Sequence, residues 1–86
     1  MEKRLKVLSE TGMHARPAAL IISKVSKFKS GITVSKGEKE VNLKSLLGLL
    51  SLGINQNEEI TIRTNGPDEE EALTELVRFG QELGFW

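Results

Sequence analysis

The sequence predicts a two-layer α+β domain in which three helices cover one face of a four-stranded sheet. Three observations predict it. Four short segments alternate apolar and polar residues with a period of two. Three others carry apolar residues at helical spacing. The length of 86 residues suits one compact domain with a modest core. A strand set with one apolar side and three amphipathic helices has a simple solution, helices packed on one sheet face.

The elements follow in chain order. Leu5 and Val7 alternate with Arg4 and Lys6, giving a first strand over residues 2–8. Ser9 to His14 forms a loop with Gly12 as a hinge. Pro17 then suits the first turn of a helix, where a missing N–H is tolerated. Ala18, Ile21, Ile22, Val25 and Phe28 fall on one face of that helix, which Ser30-Gly31 ends. Ile32 and Val34, then Val41 and Leu43, make a hairpin around Lys36-Gly37-Glu38-Lys39. A short helix over about Ser45–Leu52 closes at Gly53. Ile60, Ile62 and Thr64 mark the last strand, and Asn65-Gly66-Pro67 turns the chain. Asp68 is placed to cap a final helix whose inner face is Ala72, Leu73, Leu76, Val77, Gly80 and Leu83. The order is β-α-β-β-α-β-α.

Composition excludes several classes of function. Lysine plus arginine equal aspartate plus glutamate at 12 each, so no nucleic-acid binding is expected from charge. The run Asp68 to Glu71 reads as an acidic first helical turn. There is no cysteine, hence no disulfide framework and no Cys-based metal site. A single histidine adds one ligand only, so neither metal nor cofactor is expected. The basic start, MEKRLKVL, has no apolar stretch behind it, so no secretory signal is expected. The early apolar run Ala18–Ile22 falls far short of the roughly 20 residues of a membrane span. A cytoplasmic protein without membrane insertion is expected.

His14, the one histidine, stands just before the first helix, with Arg16 close behind. Neutral imidazole is nucleophilic, and its unperturbed pKa of about 6.5 leaves it mostly neutral at pH 7. Amides at a helix N-terminus favour an anion, and a guanidinium forks onto phosphate oxygens. Pro17 has no N–H, which leaves the backbone amides of Ala15 and Arg16 as donors. Phosphorus bound to imidazole nitrogen stays transferable because imidazole leaves well, so His14 suits relay rather than storage. On its own, one histidine beside an arginine reads more readily as a helix-capping residue. No G-x-S-x-G elbow supports a hydrolase.

Two segments together go further. Gly12-Met13-His14-Ala15-Arg16-Pro17-Ala18 closely resembles the active-site segment of HPr, the histidine-containing phosphocarrier of the bacterial sugar phosphotransferase system. The segment Val41 to Gly53 resembles the regulatory-serine region of that family, at the family's separation. The resemblance covers nearly the whole chain and implies one HPr domain over residues 1–86. It implies an open-faced β-sandwich with a four-stranded antiparallel sheet in the order 1-4-2-3. It further implies that Enzyme I phosphorylates His14 on Nδ1, that Arg16 and the Ala15 amide steady the phosphoryl group, and that IIA domains of sugar permeases receive it. The protein would turn over no small substrate itself, its partners supplying much of each active site.

Ser45 precedes the short helix and reads first as its N-cap. The resemblance adds regulation, because the matching serine in Gram-positive relatives is phosphorylated by HPr kinase/phosphorylase and then recruits a catabolite-control repressor. The Lys44-Ser45 pair is closer to the Gram-positive pattern than to the enteric one. Phosphate at a helix N-terminus is electrostatically favourable, so the fold should survive it. The helix itself holds more leucines than one buried stripe needs. Leu49 and Leu52 are assigned to the core; Leu46, Leu47 and Leu50 are left near the surface, with Leu20 on the first helix beside His14. These read either as a wide buried face or as a partner-binding patch. Many relatives carry Met, Ile or Phe at these leucine positions. Phe85-Trp86 could pack on the last helix or be a self-association spot; a monomer is expected. Two alternatives stand beside phosphoryl relay: a regulatory paralogue (co-repressor or nitrogen-system carrier), and an interaction module without phosphoryl chemistry. The purely co-repressor relatives lack the histidine that His14 supplies here.

Overall fold

A computed structural model describes residues 1–12 and 15–86. Its elements are β1 (Glu2–Lys6), α1 (Ala15–Val25), β2 (Gly31–Lys36), β3 (Lys39–Asn42), α2 (Leu46–Ser51), β4 (Glu59–Asn65) and α3 (Glu69–Glu82). The sheet is antiparallel with the order β1-β4-β2-β3, as expected. Ile62 on β4 lies opposite Lys3 on one side and Val34 on the other, and Val34 lies opposite Val41.

The period-two pattern settles which sheet face is covered. Ile32, Val34, Ile60 and Ile62 point inward and are buried. They meet Ala18, Ile21 and Val25 of α1, Leu49 of α2, and Ala72, Leu73 and Leu76 of α3 in one apolar cluster. The uncovered face is polar. Arg63 on β4 bridges Glu2 at 3.6 Å and Glu40 at 3.3 Å, and Thr33 donates to Glu40. Apolar burial therefore has one direction only, and it places all three helices on that side.

The first helix ends at Val25, five residues before the predicted stop. The cause is a set of long-range bonds that take the next backbone groups out of helical pairing. The Asp68 carboxylate accepts from the amides of Lys29 and Ser30, at 2.9 Å each, and from the Ser30 hydroxyl at 2.5 Å. The Lys44 ammonium donates to the carbonyls of Phe28 (2.6 Å) and Ser30 (2.9 Å). Phe28 still reaches the core, but from the turn beyond the helix.

Asp68 corrects a second expectation. It occupies the position before α3, yet its side chain makes no cap bond to that helix. Its carboxylate is committed to the segment after α1, so it fastens two helices rather than ending one. The bonds from Ser30 and Lys29 hold its pKa down at about 2. Leu83 departs from the predicted inner face and is exposed. The chain reverses after α3 through Gly84 (φ +77°), and Phe85 and Trp86 fill the inner position instead. The Trp86 indole donates to Val77 O at 3.0 Å, and the ring lies so close to Gly80 that any Cβ there would collide. Phe85-Trp86 thus packs on the last helix.

A carboxylate whose folded pKa lies below its unfolded value stabilises above the unfolded pKa and loses that contribution as pH falls through the folded one. Stability measured by urea unfolding should therefore exceed that of Asp68→Asn at neutral pH. The difference should shrink as pH drops from about 4 through about 2. A difference that stays constant over this window would contradict the Asp68 clamp.

Candidate functional site

Of the residues proposed for phosphoryl chemistry, Ala15 and Arg16 open α1 and both are exposed; His14 lies outside the described residues. Pro17 is the third residue of the helix, where its missing N–H leaves no intrahelical bond unmade. First-turn amides have no acceptor inside their own helix, and the helix dipole adds positive potential there. An arginine in that turn brings a permanent charge and a planar donor fork to the same end. The arrangement suits a dianion at the surface.

The chain that leads into this helix start is held by a backbone contact. Gly12 is buried with φ +66°, and a Cβ at that position would stand 2.5 Å from the carbonyl oxygen of Ile54. Both the dihedral and the contact require glycine. The Gly12 amide donates to Ser9 O at 3.1 Å, and the hydroxyls of Ser9 and Thr11 are 3.3 Å apart.

The loop that Gly12 rests on is itself braced. The Lys36 ammonium donates to Gly53 O at 2.6 Å and stands 3.1 Å from the Glu58 carboxylate. The Asn55 amide donates to Glu58 at 2.6 Å. The Asn55 bond first, and then Lys36, keep the Glu58 carboxyl below its usual pKa. Asn57 takes a left-handed φ of 70°, which asparagine tolerates better than most residues. Its amide donates to Val7 O at 2.7 Å, and the Val7 amide donates to Glu58 O at 2.9 Å. The loop before α1 and the loop before β4 therefore form one unit at the end of the sheet.

Ser45 is the N-cap of α2. Its hydroxyl oxygen accepts from the Gly48 amide at 3.2 Å, with extended backbone (φ −99°, ψ 117°). The Ser45 amide donates to Asn42 O, and the Lys44 amide to the Asn42 side chain, both at 3.0 Å. The side chain of Lys44 turns away to the carbonyls of Phe28 and Ser30. That role of Lys44 was not legible in the sequence.

The leucines divide as follows. Leu49 and Leu52 are buried, as assigned. Leu47 is 82% exposed, Leu20 48% and Leu46 40%. Leu50 is half-buried and packs against the core, which corrects its placement with the surface set. Leu20 lies one turn along α1 from Arg16, on the same side of the helix. The helices α1 and α2 pack together, so the exposed leucines occupy neighbouring elements.

Among the described residues, no group of three or more His, Asp or Glu side chains is placed to hold a metal. No described helix is long and apolar enough to cross a membrane. A broad groove lies elsewhere, between Phe28 and the start of α3, lined by Lys27, Asp68, Glu71 and Glu75 among others. Neither Arg16, which is exposed, nor the half-buried Ser45 lines it.

Residues 1–82 match the protein family described as PTS HPr component phosphorylation site. The HPr-like protein Crh of Halalkalibacterium halodurans is 44% identical over 79 residues, covering 92% of this chain and 94% of the relative. The structure of HPr-C-His from Thermoanaerobacter tengcongensis superposes with a TM-score of 0.90 at 43% identity, over 95% of this chain and 92% of that one. A crystal structure of Crh from Bacillus subtilis, described as a domain-swapped dimer, gives 0.77 at 40% identity, over 93% and 92%.

Gly12→Ala should lower stability by at least about 2 kcal/mol, because a left-handed φ and a backbone collision act together. Ser45→Ala should cost about 1 kcal/mol, the worth of an N-cap. Urea unfolding of both variants checks the two values; a Gly12→Ala protein as stable as the parent would deny the contact with Ile54.

Proposed function

Because the chain belongs to the HPr family of phosphocarriers, we propose that it carries a phosphoryl group on His14, taken from phospho-Enzyme I and delivered to IIA domains of sugar permeases. Proteins of this family carry a phosphoryl group and are not themselves enzymes. In the first transfer the imidazole Nδ1 lone pair of His14 attacks phosphorus while the bond from phosphorus to the donor breaks. In the second, the Nδ1–P bond breaks and the acceptor takes the group. Arg16 and the Ala15 amide would offset the charge on the phosphoryl oxygens in both. One observation carries this reading: Ala15 and Arg16 form the exposed first turn of an 11-residue helix directly after His14.

Partners would approach over Leu20, Leu46 and Leu47, the exposed apolar residues of α1 and α2. Leu50 would support that surface from beneath. The transfers would take place in the cytoplasm and between a monomeric carrier and one partner at a time. The same fold would occupy residues 1–86 as a single HPr domain.

A second reading is favoured by the relatives named Crh. In it the chain is a regulatory paralogue, phosphorylated on Ser45 by HPr kinase/phosphorylase and read by a catabolite-control repressor. The cap geometry supports modification at Ser45. Phosphate there would sit at the start of α2, where negative charge is favoured, beside Lys44, whose ammonium is engaged by the carbonyls of Phe28 and Ser30 beyond α1. The two readings coexist if both residues are modified.

Incubation with phosphoenolpyruvate and Enzyme I should add one acid-labile phosphate, seen by intact mass and absent in His14→Ala. No phosphate with Enzyme I, together with an acid-stable phosphate from ATP and the kinase, would favour the regulatory reading; no phosphate from either would favour an interaction module. Arg16→Ala should slow acceptance roughly 10- to 100-fold with stability changed by less than about 0.5 kcal/mol. A loss of activity fully explained by unfolding would remove Arg16 from the mechanism.

A further inference from the structure

We propose that Phe85 and Trp86 are positioning residues for phosphoryl transfer, forming a strap that fastens the loop leading into His14. The functional half of this proposal rests on the relay reading of His14. The family match covers residues 1–82, so the strap lies just beyond the matched region.

After Gly84 the chain folds back along α3. The Phe85 amide donates to Gly80 O at 2.8 Å, and the Trp86 indole donates to Val77 O at 3.0 Å. Both side chains are buried, with ring centroids 6.2 Å apart. The indole lies over the bare backbone of Gly80, where a Cβ would come within 2.1 Å of the ring. With both rings buried, the pair offers no surface for self-association.

From this anchorage the strap reaches the loop. Phe85 O accepts from the Leu8 amide at 2.6 Å. The Leu8 carbonyl accepts from the Gln56 side chain at 3.3 Å, on the other flank. The backbone of Leu8 is therefore held by two segments, the strap and the loop before β4. Downstream, Gly12 is seated on Ile54, and the chain passes to His14. Releasing the strap frees one side of this segment while the sheet, whose ladders lie elsewhere, keeps its bonds. Small misplacements of a reacting group slow transfer steeply, so loosened loop geometry should appear in the rate of the chemical step rather than in partner affinity.

Three variants test this: Trp86→Ala, Trp86→Phe and Gly80→Ala. The last leaves the strap sequence intact and expels the ring, at a helical position where alanine ordinarily favours the helix. Amide hydrogen exchange at Leu8 should rise in Trp86→Ala and Gly80→Ala by about 10-fold or more beyond the rise at Val34 and Ile62, which report the global loss of stability from a changed core. With phosphoenolpyruvate, the kcat of Enzyme I on this protein should fall roughly 5-fold, with its KM for this protein within about 2-fold. Trp86→Phe, which keeps an aromatic ring without the donor, should fall between. The strap role is overturned if Leu8 exchange is unchanged, if Val34 and Ile62 loosen equally, or if kcat is untouched while Leu8 loosens. A parent protein that accepts no phosphate strikes the relay reading instead, and the Leu8 exchange ratio then decides the strap alone.

Discussion

The close approach of Gly12 to the Ile54 carbonyl is the contact on which the site depends. It joins the loop before α1 to the loop before β4, two segments distant in sequence that meet at one end of the sheet. A side chain at residue 12 would push them apart, and the direction in which the chain enters α1 would change with it. The bracing behind Ile54, through Lys36, Glu58 and Asn55, gives that contact something firm to press on. Precision at an exposed site is thereby obtained from backbone contacts and a small ionic group rather than from burial.

A domain of this size has little interior to give to a pocket. Its apolar residues are spent on one sheet face and three helices, and its polar face is closed to further packing by the Glu2–Arg63–Glu40 series. Such a domain can offer a site only at its surface, and the exposed first turn of α1 is the place the relay reading uses. The exposed Leu47 fits that economy: it contributes nothing to the core, and it stands on the element next to the one that begins with Ala15 and Arg16.

The fold was legible in the sequence wherever periodicity spoke. The alternation at Ile32–Val34 and Ile60–Ile62 and the spacing of Ala18, Ile21 and Val25 each report a local burial pattern, and the structure follows them. Ser45 was legible as a cap because capping is local chemistry. Contacts between distant segments were not. Asp68 carries the sequence signal of a helix cap, yet its carboxylate finds two amides and a hydroxyl some forty residues upstream and takes those instead. The same event shortens α1, since the amides of Lys29 and Ser30 and the carbonyls claimed by Lys44 are no longer available to a helix. Leu83 was misplaced for a related reason: helical phase fixes direction, but the reversal at Gly84 decides what lies in that direction. At the candidate site, the motif around His14 was visible as residues, whereas the need for glycine at residue 12 became clear only through its neighbour.

The central claim is that the phosphoryl group passes through this protein and does not stop on it. A chase decides this. The protein is labelled with radioactive phosphoenolpyruvate and Enzyme I, separated from both, and mixed with a IIA domain. The account predicts that acid-labile label leaves His14 and appears on the IIA domain in equal amount. Label that stays on the protein, or is released only as inorganic phosphate, would contradict it.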